Sequence, residues 1–167
     1  MPRTPTLALA AVAVALVFSA SRAAAQEGGR AAVTTFSASL AGGAELGQDH
    51  GSAGVGELEL AAGIESPELG LRGELAAALG LAPDSHVALR PGVRFQLPAT
   101  PFQLRAALDA ANSRGHGFGW RWLLVGFAAE MRVTSELGLY AEVDTGVPLN
   151  DVAGVPLLFR GGAAFRF

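Results

Sequence analysis

The sequence predicts an all-β protein, an eight-stranded antiparallel transmembrane β-barrel closed as an up-and-down meander. Three observations predict it. From about residue 32 onward, apolar and polar residues alternate with a period of two through eight consecutive segments. One face of each segment is apolar, and after the first, less charged segment the other face carries Arg, Glu or Asp, largely among Gly and Ala. Turn residues separate the segments, with tight turns on one side and mostly longer connections on the other.

Residues 1–25 precede this pattern. Arg3, an apolar run from Leu7 to Phe18, and small residues at Ala23 and Ala25 make up a secretory signal peptide, with cleavage expected after Ala25. The run is too short for a membrane anchor, which needs about 20 apolar residues. The remaining 142 residues, 26–167, are expected to form one domain, the barrel.

The first strand is expected around Ala32 to Leu46, with Phe36, Ala38 and Leu40 opposite Thr35, Ser37 and Ser39. The second sets Leu58, Leu60, Ala62 and Ile64 against Glu57, Glu59 and Glu65. In the third, Leu69, Leu71, Leu75, Leu79 and Leu81 oppose Arg72, Glu74, Ala76, Ala78 and Gly80. The fourth has Val87, Leu89, Val93, Phe95 and Leu97 against Arg90, Gly92, Arg94 and Gln96, and the fifth Phe102, Leu104, Ala106 and Leu108 against Gln103, Arg105 and Asp109.

In the sixth, Leu123, Val125, Phe127, Ala129, Met131 and Val133 face away from Gly126, Ala128, Glu130 and Arg132. Leu137, Leu139, Ala141 and Val143 then oppose Tyr140, Glu142 and Asp144, and the last segment sets Phe159, Ala163, Phe165 and Phe167 against Arg160, Gly162, Ala164 and Arg166. Tight turns are expected at 66–68, 98–101 and 134–136, and longer loops at 43–53, 110–119 and 147–155. The link at Pro83-Asp84 is short and breaks the alternation.

Period-two alternation also suits a soluble periplasmic lipocalin-like ligand-binding barrel, which is apolar inside instead of outside. The polar face discriminates. Gly and Ala are poor residues for a solvated strand surface, whereas small residues beside long charged ones suit the crowded bore of an eight-stranded barrel. The inward charges would then be Glu57, Glu59, Glu74, Asp109, Glu130, Glu142 and Asp144 with Arg72, Arg90, Arg94, Arg105, Arg132, Arg160 and Arg166, seven of each sign. Buried ions require such balance. Gly92, Gly126 and Gly162 would give these side chains room, and the lumen is expected to be plugged.

The carboxyl end reads Phe159-Arg-Gly-Gly-Ala-Ala-Phe165-Arg-Phe167, with three aromatic residues on one face and the last of them terminal. This resembles the C-terminal strand of bacterial outer-membrane proteins, and in length and strand count residues 26–167 resemble the small barrels of the OmpA membrane-domain and OmpX type. The resemblance implies a location in the bacterial outer membrane and an assembly signal made of Phe159, Phe165 and Phe167. Outer-membrane lipid is the implied surrounding, with periplasmic chaperones and the barrel-assembly machinery as partners during biogenesis, and the folded protein is expected to be a monomer. Membership of this class implies no activity.

Aromatic girdles are thin: Phe118, Trp120 and Trp122 cluster at one strand end and Phe95 and Phe102 flank a tight turn, though core or loop packing accounts equally for the Trp pair. Without the first 25 residues, ten Arg face fifteen carboxylates, so no basic field attracts nucleic acid. The chain has no Cys, hence no disulfide and no thiolate metal site.

A lipid-modifying outer-membrane enzyme would need a His with a nucleophile and a carboxylate. His50, His86 and His116 lie in or beside expected loops, where polar residues are ordinary. Asp49-His50 and Asn150-Asp151 are too sparse for a metal cage, and Gly115 to Gly119 lacks the context of a phosphate loop. No catalytic, cofactor or metal site is expected.

Overall fold

The computed structural model describes residues 32–46, 52–82, 85–113, 117–149 and 154–167. Residues 1–25, together with His50, His116, Asp49 and Asn150-Asp151, lie outside the described residues.

Eight strands follow one another: β1 (Val33–Leu46), β2 (Ser52–Ser66), β3 (Leu71–Ala82), β4 (His86–Gln96), β5 (Phe102–Ser113), β6 (Gly117–Arg132), β7 (Leu137–Pro148) and β8 (Val155–Arg166). Each pairs antiparallel with its sequence neighbours, and β8 pairs with β1, giving a closed up-and-down barrel in the order β1 to β8. Closure leaves no strand at an edge over the paired stretches, which is how a small all-β sheet satisfies its backbone groups. Both described ends lie together: Phe167 N donates to Thr34 O at 2.9 Å and Thr34 N to Phe167 O at 3.2 Å.

The strands run further than the loops at 43–53, 110–119 and 147–155 allow. β1 ends at Leu46, as expected for it, but it overlaps the loop expected from 43 and stays paired there with a β2 that begins at Ser52, and β5 and β6 stay paired out to Ser113 and Gly117. The reason is compositional. Ala53 and Gly54 carry no polar-apolar contrast, so the start of β2 shows no period-two signal.

On the opposite side the connections are tight. Leu97 N donates to Phe102 O at 2.9 Å across one turn. In another, the Thr134 hydroxyl accepts from the backbone N–H groups of Glu136 and Leu137 at 3.2 and 3.0 Å, the local side-chain bonding that makes Thr a turn residue.

Polarity is inverted relative to a soluble domain. Leu40, Leu60, Leu79, Val93, Leu104, Val125, Phe127, Leu139 and Phe159 are exposed on the outer wall, whereas Glu57, Glu59, Arg90, Arg105, Asp109, Asp144 and Arg160 are buried inside it. Toward the loop side the interior turns apolar, with Trp122, Leu124, Pro156 and Leu158 fully buried. Phe36 with Phe167, at 6.0 Å between ring centres, and Phe102 with Phe127, at 5.1 Å, pair on the outer wall toward the turn side.

Candidate functional site

The charged interior is the chemically distinctive part of the molecule. Inward positions of β2 supply Glu57, Glu59 and Glu65; β3 supplies Arg72 and Glu74; β4 Arg90 and Arg94; β5 Arg105 and Asp109; β7 Glu142 and Asp144; β8 Arg160 and Arg166. β1 supplies small side chains instead, Ser39 and Ala41 in the middle of the barrel and Thr35 nearer the turn side.

Arg90 forks onto Glu57, with Nη2 2.7 Å from Oε2, and also reaches Glu59 Oε2 at 2.8 Å and Asp109 Oδ1 at 2.6 Å. Arg105 crosses the bore to Glu59 at 3.0 Å, Glu74 at 3.0 Å and Glu142 at 3.1 Å. Its contact with Glu74 is an ion pair too poorly angled for a hydrogen bond. Arg160 meets Glu57 at 3.1 Å, Glu59 at 2.9 Å and Asp144 at 2.9 Å. Arg94 bridges Glu74, at 2.8 Å, and Glu142, with its guanidinium 5.5 Å from the centre of the Tyr140 ring. Arg72 adds Glu74 at 3.2 Å.

Nearer the turn side, Arg166 pairs with Glu130 at 2.6 Å and Glu65 at 3.1 Å, and Gln103 Nε2 donates to Glu130 at 2.6 Å. Each of these carboxylates thereby faces at least one guanidinium group, the pairing that offsets the desolvation of buried ions.

Sequence reasoning places Arg132 in this set. The structure puts it on the same strand face but at the rim, 59 % exposed and 3.7 Å from Glu65, because β6 ends there and no wall rises beyond it. Two further ions take part. Glu65 shares the polar face of β2, so the alternation carries its signal. Arg121 has no such signal, since by alternation it would face outward with Leu123. A register shift between Asp109 and Ala110, against Trp122 and Trp120, turns it to Asp109 at 2.8 Å. With Arg121, Glu65 and the rim residue Arg132 included, eight guanidinium groups meet eight carboxylates among the described residues.

The same shift separates the two Trp residues. Trp120 is 52 % exposed on the outer wall, while Trp122 is buried inside, where Nε1 donates to Gly154 O at 2.8 Å and the Arg121 guanidinium lies 3.7 Å from its ring centre. Trp122 is therefore a packing residue and not part of a girdle.

Of the three glycines assigned to the bore, Gly126 makes room for an ion, since a Cβ there would fall 2.1 Å from Asp144 Oδ1. At Gly92 a Cβ would instead meet β5, 2.8 Å from Ala106 O, and at Gly162 it would meet β1, 2.4 Å from Ala38 O. Among the described residues, no group of three or more His, Asp or Glu has the geometry of a metal site.

No protein-family model matches the chain, and no curated protein matches it. Among solved structures, the crystal structure of Neisserial surface protein A (NspA) aligns over 81 % of this chain and 97 % of that one, with TM-score 0.53 and 17 % identity. That likeness is one of fold. A de novo designed transmembrane β-barrel aligns over 80 % and 95 % of the two chains (TM-score 0.46, 15 % identity). The Yersinia pestis outer membrane protein Ail, determined in a phospholipid bilayer nanodisc, aligns over 79 % and 99 % (TM-score 0.41, 17 % identity).

Proposed function

We propose that this chain is a bacterial outer-membrane barrel with a structural or interaction role, a lumen plugged by its own side chains and no catalytic activity. The observation that carries the reading is the inverted polarity. An apolar wall such as Leu60, Val93, Val125 and Phe159 suits hydrocarbon, and an interior filled by ions such as Arg90, Arg105 and Asp109 leaves no apolar cavity for the ligand of a soluble barrel. Outer-membrane lipid is its surroundings, and chaperones and the assembly machinery are its partners during export.

The absence of catalysis is supported by engagement. A general acid or base must have a proton to give or a lone pair free to take one, and the buried lumen carboxylates are committed to guanidinium groups. The plugged lumen is supported by burial. Side chains of Arg90, Asp109, Arg105 and Asp144 are fully enclosed, which leaves no water path alongside them.

The test is fractionation of cells expressing the full chain, followed by purification and recording in planar bilayers. Recovery in the outer membrane, gel mobility that changes on heating, and no reproducible conductance are expected. Recovery as a soluble periplasmic protein overturns the location, and stepwise conductance that survives stringent purification overturns the plugged lumen.

A further inference from the structure

Three arginines stand side by side in the wall of the lumen. The ladders pair Arg72 of β3 with Arg94 of β4, and Arg94 with Arg105 of β5, so all three occupy one row on neighbouring strands. Like charges directly opposite in a sheet repel, and carboxylates must separate them. Arg105 meets Glu59, Glu74 and Glu142, and Arg94 meets Glu74 and Glu142. Arg72 has a share of Glu74: its Nη2 lies 3.2 Å from Oε2, the same oxygen that accepts from Arg94 Nε at 2.8 Å. The Arg72 side chain is 7 % exposed, and its Nε has no hydrogen-bond partner among the described residues. A buried N–H on a permanently charged group is costly to leave unmade.

That guanidinium lines a cleft at the turn end of the bore, together with Glu65, Gly70, Arg94, Gln96 and Gln103. The cleft leaves about 10 Å³ for the centre of a water-sized particle, which is room for one. Its wall is fixed by other bonds. Gln96 N donates to Gly70 O at 2.7 Å, tying the turn after β2 to β4. Gln103 Nε2 donates to Gln96 Oε1 at 3.0 Å and to Glu130 at 2.6 Å, and Gln96 Nε2 donates to Thr100 O at 2.6 Å and Phe102 O at 3.1 Å, so both hydrogens of each amide are used. Glu65 is met by Arg166 at 3.1 Å and Arg132 at 3.7 Å. The side-chain N–H that remains for the cleft is that of Arg72, with the Arg94 guanidinium beside it, and these two cations face one acid.

We propose that the cleft binds a single monatomic anion, chloride, held by Arg72 Nε with Arg94 beside it. A halide accepts hydrogen bonds and has no hydrogen of its own to place. Its charge neutralises the end of the arginine row that Glu74 serves least. Water fits the same space but cancels no charge, and sulfate, phosphate or a carboxylate needs more room than one water-sized particle. The ion is then a counter-ion of the plug. The site rests on the geometry of the barrel interior and not on the membrane location, which fractionation tests separately.

Heat unfolding of the full chain in an uncharged detergent reads the ion. At equal ionic strength, sodium chloride should raise the midpoint above its value in sodium sulfate by about 2 °C or more, with a saturating dependence on chloride concentration. Sulfate strengthens apolar burial in general, so a bulk salt effect runs in the opposite order. Arg72→Met should abolish the chloride increment. Arg121→Met, which removes a cation paired with Asp109 at the other end of the network, should keep it.

Equal midpoints in the two salts, an increment that survives Arg72→Met, or one that Arg121→Met also loses overturns the site. If Arg72→Met does not fold, crystals of the unaltered chain grown in bromide decide. An anomalous peak in hydrogen-bond reach of Arg72 Nε upholds the proposal, and a cleft without that peak, whether it holds water or nothing, overturns it.

Discussion

Arg90 and Asp109 face one another across the β4–β5 seam, Nε 2.6 Å from Oδ1, at the place where the backbone ladder is interrupted. The ladder pairs Leu89 with Ala110 and Gly92 with Ala107 but neither Arg90 with Asp109 nor Pro91 with Leu108. Pro91 has no N–H to donate, and proline inside a sheet is otherwise confined to edges and bulges. Here the side chains hold together what the backbone does not.

Replacing Asp109 by Asn keeps the shape and removes the charge that Arg90 and Arg121 share. Breaking a buried pair from one side costs about 3 to 5 kcal/mol, and the other partners of Arg90 place Asp109→Asn at the lower end of that range. Denaturant unfolding in lipid measures it. Hydrogen exchange should show the loss of protection first at β4 and β5, and a uniform loss over all strands would refute the seam assignment.

A contrast among the arginines follows from burial. Arg105→Met takes one fully buried cation from Glu59, Glu74 and Glu142 at once, leaving an excess of negative charge in an enclosed site, and should lower stability by about 3 kcal/mol or more. Arg132→Ala, at the rim with one long contact, should change it by less than about 0.5 kcal/mol. Equal effects would mean that the lumen charges are solvated.

The two faces of β3 give a test one residue apart. Ala76 is fully enclosed beside Arg90 in the ladder, so Ala76→Leu overfills the bore and should cost about 1 to 3 kcal/mol. Ala77 faces outward, and Ala77→Leu should be tolerated in a bilayer. Leu75→Arg should cost about 2 to 4 kcal/mol if that residue sits near the bilayer midplane. A silent Ala76→Leu beside a severe Ala77→Leu would reverse the inside and outside of the barrel.

Much of this architecture is legible in the sequence, and the limits are physical. Alternation identifies eight strands and their faces because each strand separates an apolar exterior from a polar interior, as Leu58 and Leu60 against Glu57 and Glu59 show. It does not reveal a strand made of Gly and Ala, so the start of β2 at Ser52, ahead of the charged alternation from Glu57, is not legible. Nor does it reveal a bulge, which shifts parity without changing composition and thereby hides the inward turn of Arg121. Pairing within the bore depends on which strands lie opposite one another, and one sequence of alternating residues contains no such information.

That hidden bulge yields the last prediction. Trp120 and Trp122 are the two Trp residues of the chain and share one strand with a single residue between them, so regular alternation would put both on the same face. The register shift opposite Asp109 and Ala110 puts Trp120 outside and Trp122 inside, with its Nε1 bound to Gly154 O. Lipids brominated along their acyl chains quench fluorescence by contact, which only an outward indole near the hydrocarbon can make. Trp122→Phe, which leaves Trp120, should therefore be quenched strongly in such vesicles. Trp120→Phe, which leaves Trp122 enclosed, should be quenched little and should emit at shorter wavelength in unlabelled lipid than the unfolded chain does. The phenyl ring retains most of the buried area but cannot donate to Gly154, so Trp122→Phe should also lose about 1 kcal/mol. Equal quenching of the two variants would show that the strand is regular there, and the inward turn of Arg121 to Asp109 would fall with it.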